Sequence, residues 1–289
     1  MEETTIKGRV LSASSNKYTV DLGEKIVVIN ARGKIKYRSG DILTGDFVEV
    51  VDDAISKVYP RTSRFIRPNV ANIDTLCITI SNPPKPDYLV VDKLLLSASF
   101  ANVESVIIIN KTDLDQSISE YVKKHYSFLN IFCVSAKTGE GIEGLRSFLS
   151  GKTVAFAGQS AVGKTSILNS LMNTDYRTGD ISEKSERGRH TTTGSQIIKG
   201  NGFLLFDTPG FSEISVEISP EEAVMNYPPY EKYLNECKYQ DCTHITEPDC
   251  KIKQLVEQSV LSKDRYERYI EIFQEIKREY GMRYGNKKH

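Results

Sequence analysis

Apolar and polar positions change rhythm twice along the chain. Over 1–66, short apolar runs at 8–11, 17–20, 25–29 and 46–51 are punctuated by Gly23, Gly33, Gly40 and Gly45. Short β-type runs at this spacing predict a small barrel or sandwich. Over 67–215, apolar runs at 75–80, 105–109, 131–134, 153–157 and 203–206 alternate with helical spacing at 88–100, 142–149 and 165–172. That alternation predicts an α/β unit, a parallel sheet with helices on both faces. Over 216–289, a cysteine-bearing stretch gives way to Tyr266, Tyr269, Ile270, Phe273, Ile276 and Tyr280, spaced by three or four residues. One buried stripe on a terminal packing helix is expected. Asn201–Gly202 and 81–86 read as simple turns.

Composition narrows the class. Hydrophobic residues make up 39% and charged residues 26%, which excludes wholesale disorder. Lys and Arg total 38, as do Asp and Glu, which excludes a uniformly basic coat but not local patches. No apolar run approaches the roughly 18 residues of a membrane helix. The acidic, polar start is unlike a signal peptide, so a cytoplasmic protein with no membrane partner is expected. Five cysteines, an odd number, argue against a disulfide framework.

The strongest motif is Gly158-Gln159-Ser160-Ala161-Val162-Gly163-Lys164-Thr165, with Ser166 opening the helix that follows. It matches the phosphate-loop pattern between a predicted strand and a predicted helix. Glycines let backbone N–H groups curl towards phosphate oxygens, and the helix N-terminus adds positive potential. Lys164 is expected on the β- and γ-phosphates, and the Thr165 hydroxyl on Mg²⁺. Downstream, Asp207-Thr208-Pro209-Gly210 follows an apolar run. Asp207 is expected on the Mg²⁺ side and the Gly210 N–H near the γ-phosphate.

Asn110-Lys111-Thr112-Asp113 also follows an apolar run. The Asp113 carboxylate can accept from guanine N1–H and the N2 amino group, donors that adenine lacks, which favours GTP over ATP. Lys111 would lie along the base and Asn110 would brace the loop. Ser135-Ala136-Lys137 would offer a backbone N–H to guanine O6. The base reader precedes the phosphate loop, the reverse of the ordinary GTPase order, and a closed α/β fold tolerates such re-cutting. The segment after Gly210 then leads directly into the C-terminal zone.

With Gly188-Arg189-His190-Thr191-Thr192-Thr193 added, the chain resembles the RsgA/YjeQ family of circularly permuted GTPases over nearly its whole length. The resemblance implies an N-terminal OB-fold, a permuted GTPase domain and a C-terminal zinc domain. It also implies GTP hydrolysis that acts in late maturation of the small ribosomal subunit and is stimulated by that subunit. Ala161, Thr165 and Gln240 depart from common family residues. One of Thr191–Thr193, with Thr192 as the choice, would give Mg²⁺ a hydroxyl. His190 is a candidate for orienting water. Phe211 stands where Ras-like enzymes carry a water-positioning Gln, so hydrolysis should be slow without a partner.

Cys237, Cys242, His244 and Cys250 form a C-x₄-C-x-H-x₅-C pattern. Three thiolates and an imidazole suit one structural Zn²⁺ with no open position. Cys77 and Cys133 read as core thiols, and His125 and His289 as surface residues. Arg32, Lys34, Lys36 and Arg38 alternate as on one strand face. Lys57, Arg61, Arg64 and Arg67 continue the basic trail, and Lys277, Arg278, Arg283, Lys287 and Lys288 form a basic tail. With Tyr18 and Tyr37 as possible stacking rings, these suggest a surface for ribosomal RNA. The expected protein is a monomer that takes GTP, Mg²⁺ and one Zn²⁺. Two alternatives stand beside it: a GTP switch acting on a protein partner, and a constitutive RNA-binding module.

Overall fold

The computed structural model describes residues 5–14, 16–33, 35, 42–172, 195–208 and 216–284. The first unit is built from β1 (Ile6–Ser14), β2 (Lys17–Asp21), β3 (Ile26–Ala31), β4 (Phe47–Val51) and β5 (Ala54–Val58). Antiparallel pairs β1–β2, β2–β3, β4–β5 and β1–β4, with a parallel β3–β5 contact, close it into a five-stranded barrel. Period-two alternation fills the interior with Val10, Tyr18, Val20, Ile29, Val48, Val50 and Ile55. Tyr18 therefore presents no stacking ring, being 7% exposed. The expected strand face of Arg32 to Arg38 does not form at its start. β3 ends at Ala31, Ile35 is helical and buried, and Arg32 pairs with Asp52. Lys34, Lys36, Tyr37 and Arg38 lie outside the described residues.

A short hairpin of β6 (Arg64–Phe65) and β7 (Val70–Ala71) leads to the α/β unit. Its strands are β8 (Thr75–Ser81), β9 (Glu104–Asn110), β10 (Asn130–Cys133), β11 (Thr153–Ala157), β12 (Gln196–Lys199) and β13 (Leu204–Asp207). The order β10-β9-β8-β11-β13 is parallel throughout, and β12 pairs antiparallel with β13. β8 is buried at every position, as expected of a strand covered on both faces. Helices α1 (Tyr88–Phe100), α2 (Ser117–His125), α3 (Ile142–Leu149) and α4 (Lys164–Met172) supply the covering layers. The barrel and this sheet are continuous, because β1 also pairs with β12 at Ser12 and Gln196.

The C-terminal unit contains α5 (Pro220–Asn226), a 3₁₀ turn (Tyr230–Glu236), α6 (Lys251–Glu257) and α7 (Lys263–Tyr284). α5 begins with a capping box from Ser219 and Glu222 and has Pro220 in its first turn. The buried stripe on α7 is Tyr269, Ile272, Phe273 and Ile276, close to the expected one. It also includes Arg265, 2% exposed. Arg265 Nε donates to Asp92 Oδ1 at 2.9 Å, and Arg268 Nε donates to Asp92 Oδ2. Asp92 is fully buried on α1. Burial opposes charge on Arg265, but Asp92 outweighs it and holds the guanidinium above its usual range. The clamp fixes α7 to α1.

Removing one member of a buried charge cluster leaves the others uncompensated, at a cost of about 3–5 kcal/mol. Asp92→Ala should lose that much in urea denaturation followed by circular dichroism. Lys93→Ala, which breaks the partly exposed pair with Glu275 at 2.7 Å, should cost less. Equal losses would deny the clamp its special weight.

Candidate nucleotide site and metal centre

The described motif residues of the α/β unit meet at the carboxyl ends of its strands, where doubly wound sheets bind ligands. The phosphate loop leaves β11 and enters α4. Its backbone curls through positive φ at Gly158 (129°), Ala161 (63°) and Gly163 (94°). A Cβ on Gly158 would strike the Thr79 carbonyl, and one on Gly163 the Asn110 carboxamide, so space as well as conformation demands glycine. Ala161 adopts the left-handed region that glycine takes freely, at a cost of roughly 1–2 kcal/mol. Lys164 Nζ donates to the carbonyls of Gly158 at 2.7 Å and Gln159 at 2.8 Å. Burial pushes its ammonium below the usual lysine range. A half-buried cation held over a curled loop, with neutral partners among the described residues, fits a polyphosphate.

Asn110 ends β9 with a buried side chain. Its Nδ2 donates to the Val162 carbonyl at 2.9 Å, and its Oδ1 accepts from the Ala136 N–H at 3.2 Å. It braces the phosphate loop as well as its own. Lys111, at φ 64°, donates through Nζ to the carbonyls of Ala161 and Pro83, each at 2.7 Å. Asp113 is aimed by the Ser135 hydroxyl, which donates to Oδ1 at 2.6 Å. The Ser135 N–H donates to the Glu140 carbonyl at 3.0 Å. The N–H groups of Ser135 and Ala136 are thus both engaged within the protein. Thr112 is buried, and its N–H donates to the Val134 carbonyl at 3.2 Å.

Asp207 ends β13, two strands from β8 and beside β11. Burial pushes its carboxyl above the usual range, and a hydrogen bond from Gln196 opposes that shift. A desolvated carboxylate near a phosphate loop fits a Mg²⁺-side role. Thr165 stands at the start of α4 and Ser166 beside it is exposed. Gly210, Phe211, His190 and Thr191 to Thr193, Thr192 included, lie outside the described residues.

The cysteine–histidine pattern converges. Cys237 Sγ, Cys242 Sγ, His244 Nδ1 and Cys250 Sγ all lie within 4.8 Å of one another. His244 Nδ1 is 3.5 Å from Cys237 Sγ and 3.4 Å from Cys250 Sγ, and those two sulfurs are 4.0 Å apart. Metal–sulfur bonds of about 2.3 Å at tetrahedral angles need similar separations, so the donor set fits zinc. Burial pushes the Cys242 thiol up to about 12 and the His244 imidazole down to about 4. Burial thus disfavours charge on both groups, and a bound cation is what would favour the thiolate. A further ring of contacts fixes the ligand loop. Tyr266 and Tyr269 on α7 donate to the carbonyls of His244 and Thr243, each at 2.7 Å. Glu247 accepts from the N–H groups of Thr243, Ile245 and Thr246. Cys77 is buried, and Cys133 is half-buried 3.8 Å from the Ser119 hydroxyl.

A sequence profile of the RsgA GTPase family matches residues 58–217. The chain belongs to that family. A small ribosomal subunit biogenesis GTPase RsgA from Thermotoga neapolitana is 39% identical over 290 residues, covering 93% of this chain and 96% of that protein. Another so named, from Ruminiclostridium cellulolyticum, is 36% identical and 88% of each chain is covered. Among solved structures, YjeQ from Thermotoga maritima matches with a TM-score of 0.81 and 32% identity, covering 94% of this chain and 99% of that one. YloQ, a circularly permuted GTPase, matches at 0.77 and 28% identity, covering 96% of each. The family implies GTP hydrolysis with a guanine nucleotide and Mg²⁺.

The sequence reading missed one wall of this family site. The segment 81–86 is more than a turn, since Pro83 takes the Lys111 ammonium and Asp87 N–H donates to Gln159 Oε1 at 2.9 Å. The paired prolines after a fully buried strand were the available signal. His125 is half-buried: its ring lies 4.2 Å from Tyr121 and its Nδ1 is 2.6 Å from the Ser262 hydroxyl on the approach to α7.

Asp113→Ala should erase the preference for GTP over ATP, a change of about 10³-fold or more in competitive nucleotide binding. Zinc should be present at one equivalent by elemental analysis, and affinity should fall as pH is lowered, because protons compete for the thiolates. Cys250→Ser should cut zinc retention during dialysis against a chelator. Unchanged retention would remove Cys250 from the ligand set.

Proposed function

We propose that this protein is a cytoplasmic, monomeric GTPase that binds the small ribosomal subunit through its RNA, hydrolyses GTP there, and is released when maturation is complete. The observation that carries the reading is the joining of Asn110, Lys111 and Ser135 to the phosphate loop and the base reader in one site. The relatives' printed names supply the ribosomal subunit.

In this reading the Asp113 carboxylate selects guanine, while Lys111 closes one side of the base pocket against Pro83. N–H groups of 158–165 and the Lys164 ammonium hold the β- and γ-phosphates. The Thr165 hydroxyl and Asp207 hold Mg²⁺, directly or through water, with Thr192 as the candidate hydroxyl from the first switch. When bound, Mg²⁺ neutralises charge that develops on the phosphates. Gly210 would meet the γ-phosphate and His190 is the candidate for orienting water. Phe211 cannot hydrogen-bond water, so a partner must complete the site. One Zn²⁺ on Cys237, Cys242, His244 and Cys250 stabilises the C-terminal unit. The barrel, 1–66, and the C-terminal unit, 216–289, flank the GTPase unit, 67–215, as RNA-binding modules.

GTP turnover by the purified protein should be slow and should rise at least tenfold with small ribosomal subunits. Lys164→Ala serves as the blank. Stimulation should weaken steeply with salt, as RNA contacts do. Equal turnover with and without subunits, in folded and zinc-loaded protein, would overturn the ribosomal partner.

A further inference from the structure

Among the described residues, one side chain donates to Asp207. Gln196 Nε2 lies 3.2 Å from Asp207 Oδ2. The two residues are direct partners across the β12–β13 ladder, so the backbone sets their approach. Gln196 is also the residue of β12 that pairs with Ser12 in the barrel. Its neighbour Ser195 offers a carbonyl to the Thr44 hydroxyl at 3.0 Å, and Lys199, at the far end of the strand, pairs with Asp21 at 2.8 Å. The barrel therefore grips β12 at both ends and fixes the strand that carries the donor.

We propose that Gln196 is a positioning residue for the Mg²⁺-side carboxylate, and that the barrel holds it in place. This rests on the reading of Asp207 given above. A carboxylate with a single hydrogen-bond donor on one oxygen keeps one rotamer and turns its other oxygen to the ligand. Groups that orient a metal-side ligand from behind commonly change metal affinity by 10–100-fold when removed. The amide of Gln196 supplies a neutral donor, which leaves the carboxylate's charge available to the cation. The arrangement also gives the barrel a direct hold on the nucleotide site. A ligand that shifts the barrel against β12 would alter Mg²⁺ affinity, and Mg²⁺ with GTP would alter barrel binding by the same factor.

The test reads Mg²⁺ affinity, not turnover. Purified full-length protein is titrated with Mg²⁺ at fixed fluorescent GTP analogue, and the midpoint of nucleotide retention is recorded. Gln196→Met keeps the length and loses the donor, and should raise the midpoint roughly tenfold. Gln196→Glu places a second carboxylate against Asp207 and should raise it further. Lys199→Ala loosens the same strand from the barrel without touching Asp207, so it reads the barrel's hold and should raise the midpoint by less than the Gln196 variants do. Midpoints for both Gln196 variants equal to the parent protein, in samples that keep their thermal transition, would overturn the proposal. A Lys199→Ala midpoint equal to the parent's would overturn the barrel's part in it. Asp207→Asn separates the two levels. If it too leaves the midpoint unchanged, the assignment of Asp207 fails; if it raises the midpoint while the Gln196 variants do not, only the role of Gln196 fails.

Discussion

The nucleotide site depends on one buried carboxamide. Asn110 gives its N–H to the Val162 carbonyl and its oxygen to the Ala136 N–H, so three loops from three strands share one side chain. Such bonds are worth only about 1 kcal/mol each net, but a buried group left unpaired costs about 1–3 kcal/mol. The arrangement is thus held less by what the bonds contribute than by what their loss would expose. Gly163 shows the same constraint from the other side. Its missing Cβ is the space that the Asn110 carboxamide occupies. Base reader and phosphate loop are fitted to each other through this one side chain.

Permutation changes what lies on either side of this fixed centre. In this order the strands that read the base come first, and the strand that ends in Asp207 comes last. Its antiparallel neighbour β12 also pairs with the barrel, at Gln196 and Ser12. C-terminal to the same strand, Glu217 is held 3.1 Å from Arg67 and 3.4 Å from Arg283. Arg67 sits where the barrel meets the α/β unit, and Arg283 lies on the last turn of α7. Asp207 therefore stands between attachments to both flanking units.

Much of this was legible in the sequence, and what was not has identifiable causes. The parallel strands and α1, α3 and α4 declared themselves because continuous apolar runs and helical spacing are local signals. The phosphate loop, the base reader and the zinc ligands were readable because their chemistry demands fixed residue types at fixed spacings. β12 was missed because Gln196 to Lys199 is short and half polar. Its strand character comes from pairing with β13 on one edge and the barrel on the other. Asp92 and Arg265 were invisible as a pair because they are 173 residues apart. A lone Asp in a helical stretch gives no sign that it will be buried. At one member of the basic trail the reading falls short for the complementary reason. Positive charge reads as a surface for nucleic acid, yet Arg61 is spent on the buried Asp46 at 2.7 Å.

The two joints that flank the GTPase unit differ in kind. Separating α7 from α1 would strand Asp92, Arg265 and Arg268 in a desolvated setting, a penalty that arises almost entirely at the first parting. Separating the barrel from β12 would give up the Ser12–Gln196 pairing, the Thr44–Ser195 hydrogen bond and the exposed end of Lys199. Water can replace these one at a time. The first joint is all-or-none and makes the C-terminal unit an extension of the GTPase body. The second yields by degrees, and it is the one that touches the partner of Asp207. A graded contact at that joint lets the barrel shift by small steps against β12 without unfolding anything, which a buried charge cluster would not allow.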